Sequence, residues 1–201
     1  MSTKTDLKQE RKKQILDAAE KVFTKRGLDK ARMDDIVHES GLSKGSLYWY
    51  FKSKDAIIRA LLDRVFINEM RDAEELVHIQ GSSSERMRTL IASAVQEYKS
   101  VEKMLPLAYE FVALAARSKA IREALVGYFK RYTAIFAEII QQGIESGEFQ
   151  PCDPVGTAIS VIAMYEGMAM LWFIERELVD WDRMGYAPIE TILAGLTVEK
   201  S

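Results

Sequence analysis

The sequence predicts an all-α protein, about nine helices arranged as an N-terminal helix-turn-helix head on a helical body, and three observations predict it. Apolar residues recur at spacings of three and four, and strand-like alternation bounded by turns is scarce. Only 4 Pro and 11 Gly occur in 201 residues. Charge is also unevenly placed: residues 1–55 carry 13 Lys/Arg against 9 Asp/Glu, net +4, and the remainder 15 against 21, net -6, within an overall -2. A basic head on an acidic body points the head towards a polyanion.

The elements follow in order. Ile15, Ala19, Val22 and Phe23 mark a first amphipathic helix that Gly27 stops. A short second helix spans about Met33 to Ser40. Gly41 then takes a left-handed turn position, Leu42 plugs the corner, and Ser43 caps a third helix from Lys44 to about Phe51. Two short helices joined by a tight glycine-bearing turn form a helix-turn-helix pattern. Ser53 caps a long helix through Ile57, Leu61, Leu62, Val65 and Ile79 that links head to body, its Phe66 and Met70 expected against the short helix after Pro106. Gly81 to Glu85 breaks it, and Ser82 with Glu85 has capping-box spacing for a helix carrying Leu90, Ile91, Val95 and Tyr98. Pro106 opens the short helix, and a longer one runs from Ile121 to about Ile144, ended by Gly147. Asp153 and Pro154 start an apolar helix to about Leu178, and Pro188 starts the last, to about Val198. The expected division is a helix-turn-helix head at residues 1–55 and a helical body at 56–201.

Composition narrows the function classes. The chain is 48% hydrophobic and 29% charged, ordinary for a globular protein. No uninterrupted apolar run reaches the roughly 18 to 20 residues that span a bilayer, and the N-terminus lacks the apolar core of a signal peptide, so a cytoplasmic protein without membrane attachment is expected. The single Cys152 excludes an intrachain disulfide, and His38 and His78 stand too far apart for metal-ligand spacing. An enzyme would have only carboxylates to work with, so catalytic residues, metal and cofactor are all expected to be absent.

The stretch GLSKGSLYWYFKSK, Gly41 to Lys54, has four consecutive aromatics and no acid. On a helix, successive side chains turn by about 100°, so the four cannot share one core. With Leu47 at the centre of the buried side, Phe51 joins it at i+4, and Gly45 and Trp49 point outward with Ser46 and Tyr48 beside them. The outward face is a gap next to a large ring, with Lys44, Lys52 and Lys54 at its ends.

The longer stretch GLDKARMDDIVHESGLSKGSLYWYFKSK, Gly27 to Lys54, resembles the DNA-binding head of the tetracycline-repressor (TetR/AcrR-like) family of bacterial transcriptional regulators. The match includes Asp35-Ile36, Gly41-Leu42-Ser43, Lys44-Gly45-Ser46-Leu47-Tyr48, Phe51 and Lys54. It implies that the third helix enters the DNA major groove. A groove about 12 Å wide admits one helix, Gly45 lets the backbone approach base edges, and Lys44 can donate to guanine acceptors. Tyr48 and Trp49 suit thymine methyls, sugars or phosphates, and Lys54 with the first amides of the fourth helix suits a phosphate. The DNA-binding positions so implied are Arg32, Ser43, Lys44, Gly45, Ser46, Tyr48, Trp49, Tyr50 and Lys54. Arg32 stands where the family places a threonine cap, and Tyr50 where it often has histidine; Tyr50 reads equally as packing or as a phosphate contact.

In the body, Phe111, Tyr132, Phe136, Tyr165, Met168 and Trp172 recur at helical intervals and read either as core or as ligand lining, with Glu110 or Glu166 as polar groups. The resemblance implies a small-molecule cavity among the middle helices, and a four-helix bundle formed with a second subunit by the last two helices, through Ala163, Gly167 and Ala194 with Leu193 and Leu196. The expected function is a homodimeric, ligand-responsive repressor, released from a palindromic double-stranded DNA operator by a small apolar or aromatic effector. A regulator that activates, one without ligand response, and a helical interaction module whose basic head binds an acidic protein are the alternatives.

Overall fold

The computed structural model describes residues 4–100, 102 and 105–198, with side chains described for 6–64, 73–100, 102 and 105–198, so Val65, Phe66 and Met70 lie outside the described side chains. Ten α-helices occur among these residues, with a 3-10 turn over Arg176–Leu178 and a single isolated antiparallel bridge, Phe149 to Thr197, in place of any strand. The chain packs as two compact units, Met1–Ile67 with Met104–Leu125, and Asn68–Lys103 with Val126–Ser201.

In the first unit, α1 (Lys4–Arg26) buries Ile15, Ala19, Val22 and Phe23. It stops at Gly27, whose N–H donates to Phe23 O at 2.7 Å. α2 (Met33–Ser40) and α3 (Lys44–Tyr50) are joined through Gly41, at φ 66° in the left-handed region where glycine alone is unstrained. Its N–H donates to His38 O, and half-buried Leu42 packs on the core. Ser43 Oγ accepts from Ser46 N at 3.1 Å and Ser53 Oγ from Ala56 N at 3.2 Å, capping α3 and α4 (Lys54–Leu76) as their sequences dictate. α6 (Leu105–Ala115) and the start of α7 (Lys119–Glu145) join this unit: Leu107, Phe111, Ile121 and Leu125 are buried in one cluster with Phe23, Ile36, Leu47 and Phe51. The packing division therefore does not run at residue 55. Glu110 on α6 explains part of the attachment, since its carboxylate accepts from Leu28 N at 2.5 Å.

The second unit holds α5 (Ser83–Ser100), most of α7, α8 (Pro154–Ile174), α9 (Trp181–Met184) and α10 (Ala187–Leu196) around Met87, Ile91, Phe136, Ile140, Val161 and Ile189. Ser82 and Glu85 form the expected capping box: Glu85 N donates to Ser82 Oγ and Ser82 N to the Glu85 carboxylate. Asp153 caps α8 through Val155 N.

Three features of the second unit bear on the expectations, the first and the third as corrections. The apolar helix does not run to Leu178: Glu175 is extended at φ -148° and ψ 117°, a 3-10 turn covers Arg176–Leu178, and α9 starts afresh on Asp180, whose carboxylate accepts from Asp182 N and Arg183 N. The break turns Val179 and Trp181, 4% and 3% exposed, into the core. Second, α8 is long and apolar enough by length and composition to cross a membrane, but Thr157, Ser160 and Glu166 interrupt its apolar run as expected, and its inward stripe of Ala158, Val161, Ile162, Tyr165 and Ala169 is buried in protein. Third, Leu193 and Leu196, expected to meet a second subunit, share the inward stripe of α10 with Ile189 and lie buried in their own unit. Ala163 and Ala194 are exposed.

Candidate nucleic-acid interface

α3 is oriented by what it buries. Leu47 is fully buried and Phe51 6% exposed, whereas Trp49 is 60% exposed. Ser43, Lys44 and Gly45 are exposed with it; Ser46, Tyr48 and Tyr50 are half-buried, and the two tyrosines pack on the core cluster. Tyr50 meets Trp49 edge-on at 4.6 Å between ring centroids, so it serves as packing for the outward ring. Lys8 of α1 places its ammonium 5.7 Å from the centre of the Trp49 ring, a cation–π contact no local spacing could reveal. A Cβ built on Gly45 would meet nothing within 4 Å, so nothing inside the protein requires a glycine there.

The cations divide into two groups. Lys44 pairs with Asp34 of α2 at 2.8 Å, both side chains largely exposed, and the hydrogen bond and charge of Asp34 raise the lysine pKa. Arg32 is exposed and makes no side-chain cap; its backbone N–H donates to Asp35 at 2.8 Å, so the second helix is capped by Asp35 reaching back. Lys54 differs from its expected role. Its ammonium donates to the carbonyls of Leu28, Asp29 and Ala31 at 2.7, 3.4 and 3.2 Å, which occupies all three donors and clamps the α1–α2 loop. The side chains of Arg32, Lys44 and Lys52 remain exposed on the surface.

The body residues separate as well. Phe111 is buried in the first unit's cluster, while Phe136, Tyr165, Tyr132, Met168 and Trp172 belong to the second unit's core or pack on it. Tyr165 donates to Gly185 O at 2.8 Å, and burial pushes its pKa upward. Tyr132 stacks on Tyr128 and meets Phe136 edge-on. Two residues outside the expected set extend the array: Trp181 stacks on Tyr98 at 5.2 Å and receives Trp172 edge-on at 6.0 Å. Tyr98 showed in the sequence only as a core position, and Trp181 sits beyond the unforeseen helix break.

The family model described as "Bacterial regulatory proteins, tetR family" matches residues 15–61, and "Tetracyclin repressor-like, C-terminal domain" matches residues 86–180. This chain belongs to the TetR family. It is a DNA-binding transcriptional regulator with the helix-turn-helix of that family in its first unit. Among curated relatives, YfiR of Bacillus subtilis, an uncharacterised HTH-type transcriptional regulator, is 28% identical over 75% of this chain and 73% of its own. The HTH-type transcriptional regulator TtgR of Pseudomonas putida is 27% identical over 86% and 84%. The fold of this TetR-family chain is shared with SmeT in its triclosan complex, at TM-score 0.82 and 21% identity over 94% and 93% of the two chains. SmeT is the repressor of the Stenotrophomonas maltophilia multidrug efflux pump SmeDEF.

Proposed function

We infer that this TetR-family regulator is a ligand-responsive repressor that grips a palindromic operator as a homodimer through α3 and lets go when a small apolar or aromatic effector binds the body. The observation that carries the DNA-reading role is the outward face of α3: an exposed tryptophan and lysine beside a glycine with open space above it. A helix of this face fits a major groove, with the glycine allowing backbone approach and Lys44 exchanging Asp34 for a base or phosphate. Lys44→Ala and Trp49→Ala are expected to weaken binding to an operator selected from random duplexes by about 1 to 3 kcal/mol each, if they read bases, with melting temperatures near the parent's. Binding should fall steeply with salt. Parental affinity in both variants would remove α3 from the interface.

The homodimer is supported by apolar surface on α8. Val155, Ile159, Ala163, Met170 and Ile174 lie at spacings of 4, 4, 7 and 4, one stripe about 100° wide, and Val155, Ile159 and Ile174 are 52%, 53% and 67% exposed. Exposed apolar side chains recurring along one helix face, with Glu166 between Ala163 and Met170 as the one charged interruption, fit an interaction site. The effector is supported by the aromatic array of the second unit and by the triclosan bound to SmeT. Release requires the ligand to favour one conformation over another, a coupling worth about 1 to 3 kcal/mol. α4 and α7 each contribute residues to both units, which gives a ligand in the second unit a covalent route to the first. The operator complex, titrated with candidate effectors, tests the release.

A further inference from the structure

α2 brings an acid to the start of α3. The stretch from Gly41 to Lys54 contains none, yet Asp34 holds its carboxylate 2.8 Å from the Lys44 ammonium, the two side chains 69% and 64% exposed. The ordinary uses of an acid at this place are filled or small. Asp35, not Asp34, closes the first turn of α2: its carboxylate accepts from Arg32 N at 2.8 Å and pairs with Arg26 at 3.4 Å. An ion pair between two side chains this exposed adds little to stability, because water screens it.

The place of the pair decides what else it can do. In a helix-turn-helix the N-terminal residues of the second helix contact base edges, while the first helix crosses the backbone. Lys44 is the first residue of α3 and Asp34 the second of α2, so a carboxylate held to that ammonium stands at the same base edges. An acid pressed against a polyanion is repelled by the phosphates around it, whatever their sequence. That repulsion is offset where a base donor receives the carboxylate as Lys44 turns to the DNA.

A G·C pair meets both groups at once. Its major-groove edge carries the N7 and O6 acceptors of guanine and the N4 amine of cytosine. O6 and N4 are hydrogen-bonded to each other, about 2.9 Å apart, close to the 2.8 Å between Lys44 Nζ and Asp34 Oδ1. Donor can face acceptor and acceptor face donor with little rearrangement. An A·T pair offers the same two groups at its centre, but adenine N7 then stands beside the carboxylate as a second acceptor, and thymine gives the ammonium one acceptor in place of two. We propose that Asp34 is a specificity-determining residue of the operator interface, its carboxylate accepting from a cytosine N4 amine while Lys44 donates to the guanine of the same pair. The proposal rests on the reading of α3 as the groove helix and adds a residue of α2 to it.

The experiment selects an operator from random duplexes with the full wild-type chain, then measures binding by anisotropy to duplexes in which each base pair of one half-site is changed in turn. For wild type, changing one particular G·C pair to A·T should cost about tenfold or more in affinity. Asp34→Ala should reduce that loss to within about threefold, at that pair alone, and should bind an unrelated duplex more tightly than wild type does. Lys44→Ala should lose its preference at the same pair. Both variants should melt near wild type, since both side chains are exposed. Pyrimidin-2-one in place of the cytosine removes the N4 amine, and it should weaken wild type about tenfold but Asp34→Ala about threefold or less. An unchanged preference in Asp34→Ala, an equal change at every base pair, or losses for Asp34→Ala and Lys44→Ala at different pairs overturns the proposal. If Lys44→Ala or Trp49→Ala loses a base preference and Asp34→Ala loses none, the proposal falls and the groove reading of α3 stands. If neither α3 variant changes any preference, the groove reading falls and the proposal with it.

Discussion

Glu148 shows how much a single side chain can decide at a distance in sequence. It accepts from Ser83 N, Ser84 N and the Ser84 hydroxyl at 2.7, 2.9 and 2.5 Å, so it caps the first turn of α5 from 64 and 65 residues away. Burial alone would raise its pKa; the Ser84 and Ser83 hydrogen bonds, with the Arg86 charge, outweigh that and lower it. A folded-state pKa below the unfolded one means the carboxylate stabilises the fold above the unfolded value near 4.5, and that this contribution is lost as pH falls through the folded pKa. Glu148→Gln should therefore be less stable at pH 7, by on the order of 1 to 3 kcal/mol, and should lose less than wild type on acidification. Denaturant melts at pH 7 and in steps down from pH 5 check this, and parallel pH profiles would rule out the role. The Ser82–Glu85 box at the same helix start was legible because its partners are three apart. Glu148, like the Lys54 clamp on Leu28, Asp29 and Ala31, was not, since pairing at that range depends on how loops fold.

At the scale of the element, α3 is the part of the molecule most fully written in its own sequence. The 100° step alone placed Leu47 and Phe51 inward and Trp49 outward, as found. The step says nothing of Tyr50's edge-on support for Trp49 or of Lys8 above it, because both depend on neighbouring rotamers and on α1. Gly45 separates folding from recognition in one position. A Cβ there meets nothing in the protein, so Gly45→Ala should stabilise the head by up to about 1 kcal/mol through helix propensity. The same methyl should lower operator affinity if the backbone approaches base edges. Thermal melts and anisotropy titrations on one preparation read both effects; a variant that is more stable and binds operator as tightly as wild type would place the backbone away from the bases. α8 is the opposite case: its start was set by Asp153 and Pro154, but its end at Ile174 follows from the need to bury Val179 and Trp181, a tertiary demand that overrides a continuous apolar run.

At the scale of the whole molecule, sequence order and packing diverge: α6, far beyond the head's α3 in sequence, buries Leu107 and Phe111 with Phe23 and Leu47, and no local pattern carries that pairing. The body leaves its own demand unmet, since the α8 stripe through Val155, Ile159, Ala163, Met170 and Ile174 is apolar and open to water in a single chain. Two copies joined there would cover it and carry two α3 helices to half-sites about one DNA turn, roughly 34 Å, apart. One head alone makes few contacts, so affinity for a palindrome should come mainly from linking the two. Charge is the sharpest probe of this. Ile159→Glu with Ile174→Glu places two carboxylates per chain on side chains already exposed, which the isolated fold tolerates, but opposes like charges across a two-fold contact. Sedimentation at micromolar concentration should show a dimer for wild type and a folded monomer for the double variant, with helix content unchanged. Operator affinity should fall at least about a hundredfold, the usual scale of lost bivalency, while binding to a single half-site stays nearly the same. A double variant that remains dimeric would move the interface off this stripe, and a monomer with full palindrome affinity would show that each head reads DNA on its own.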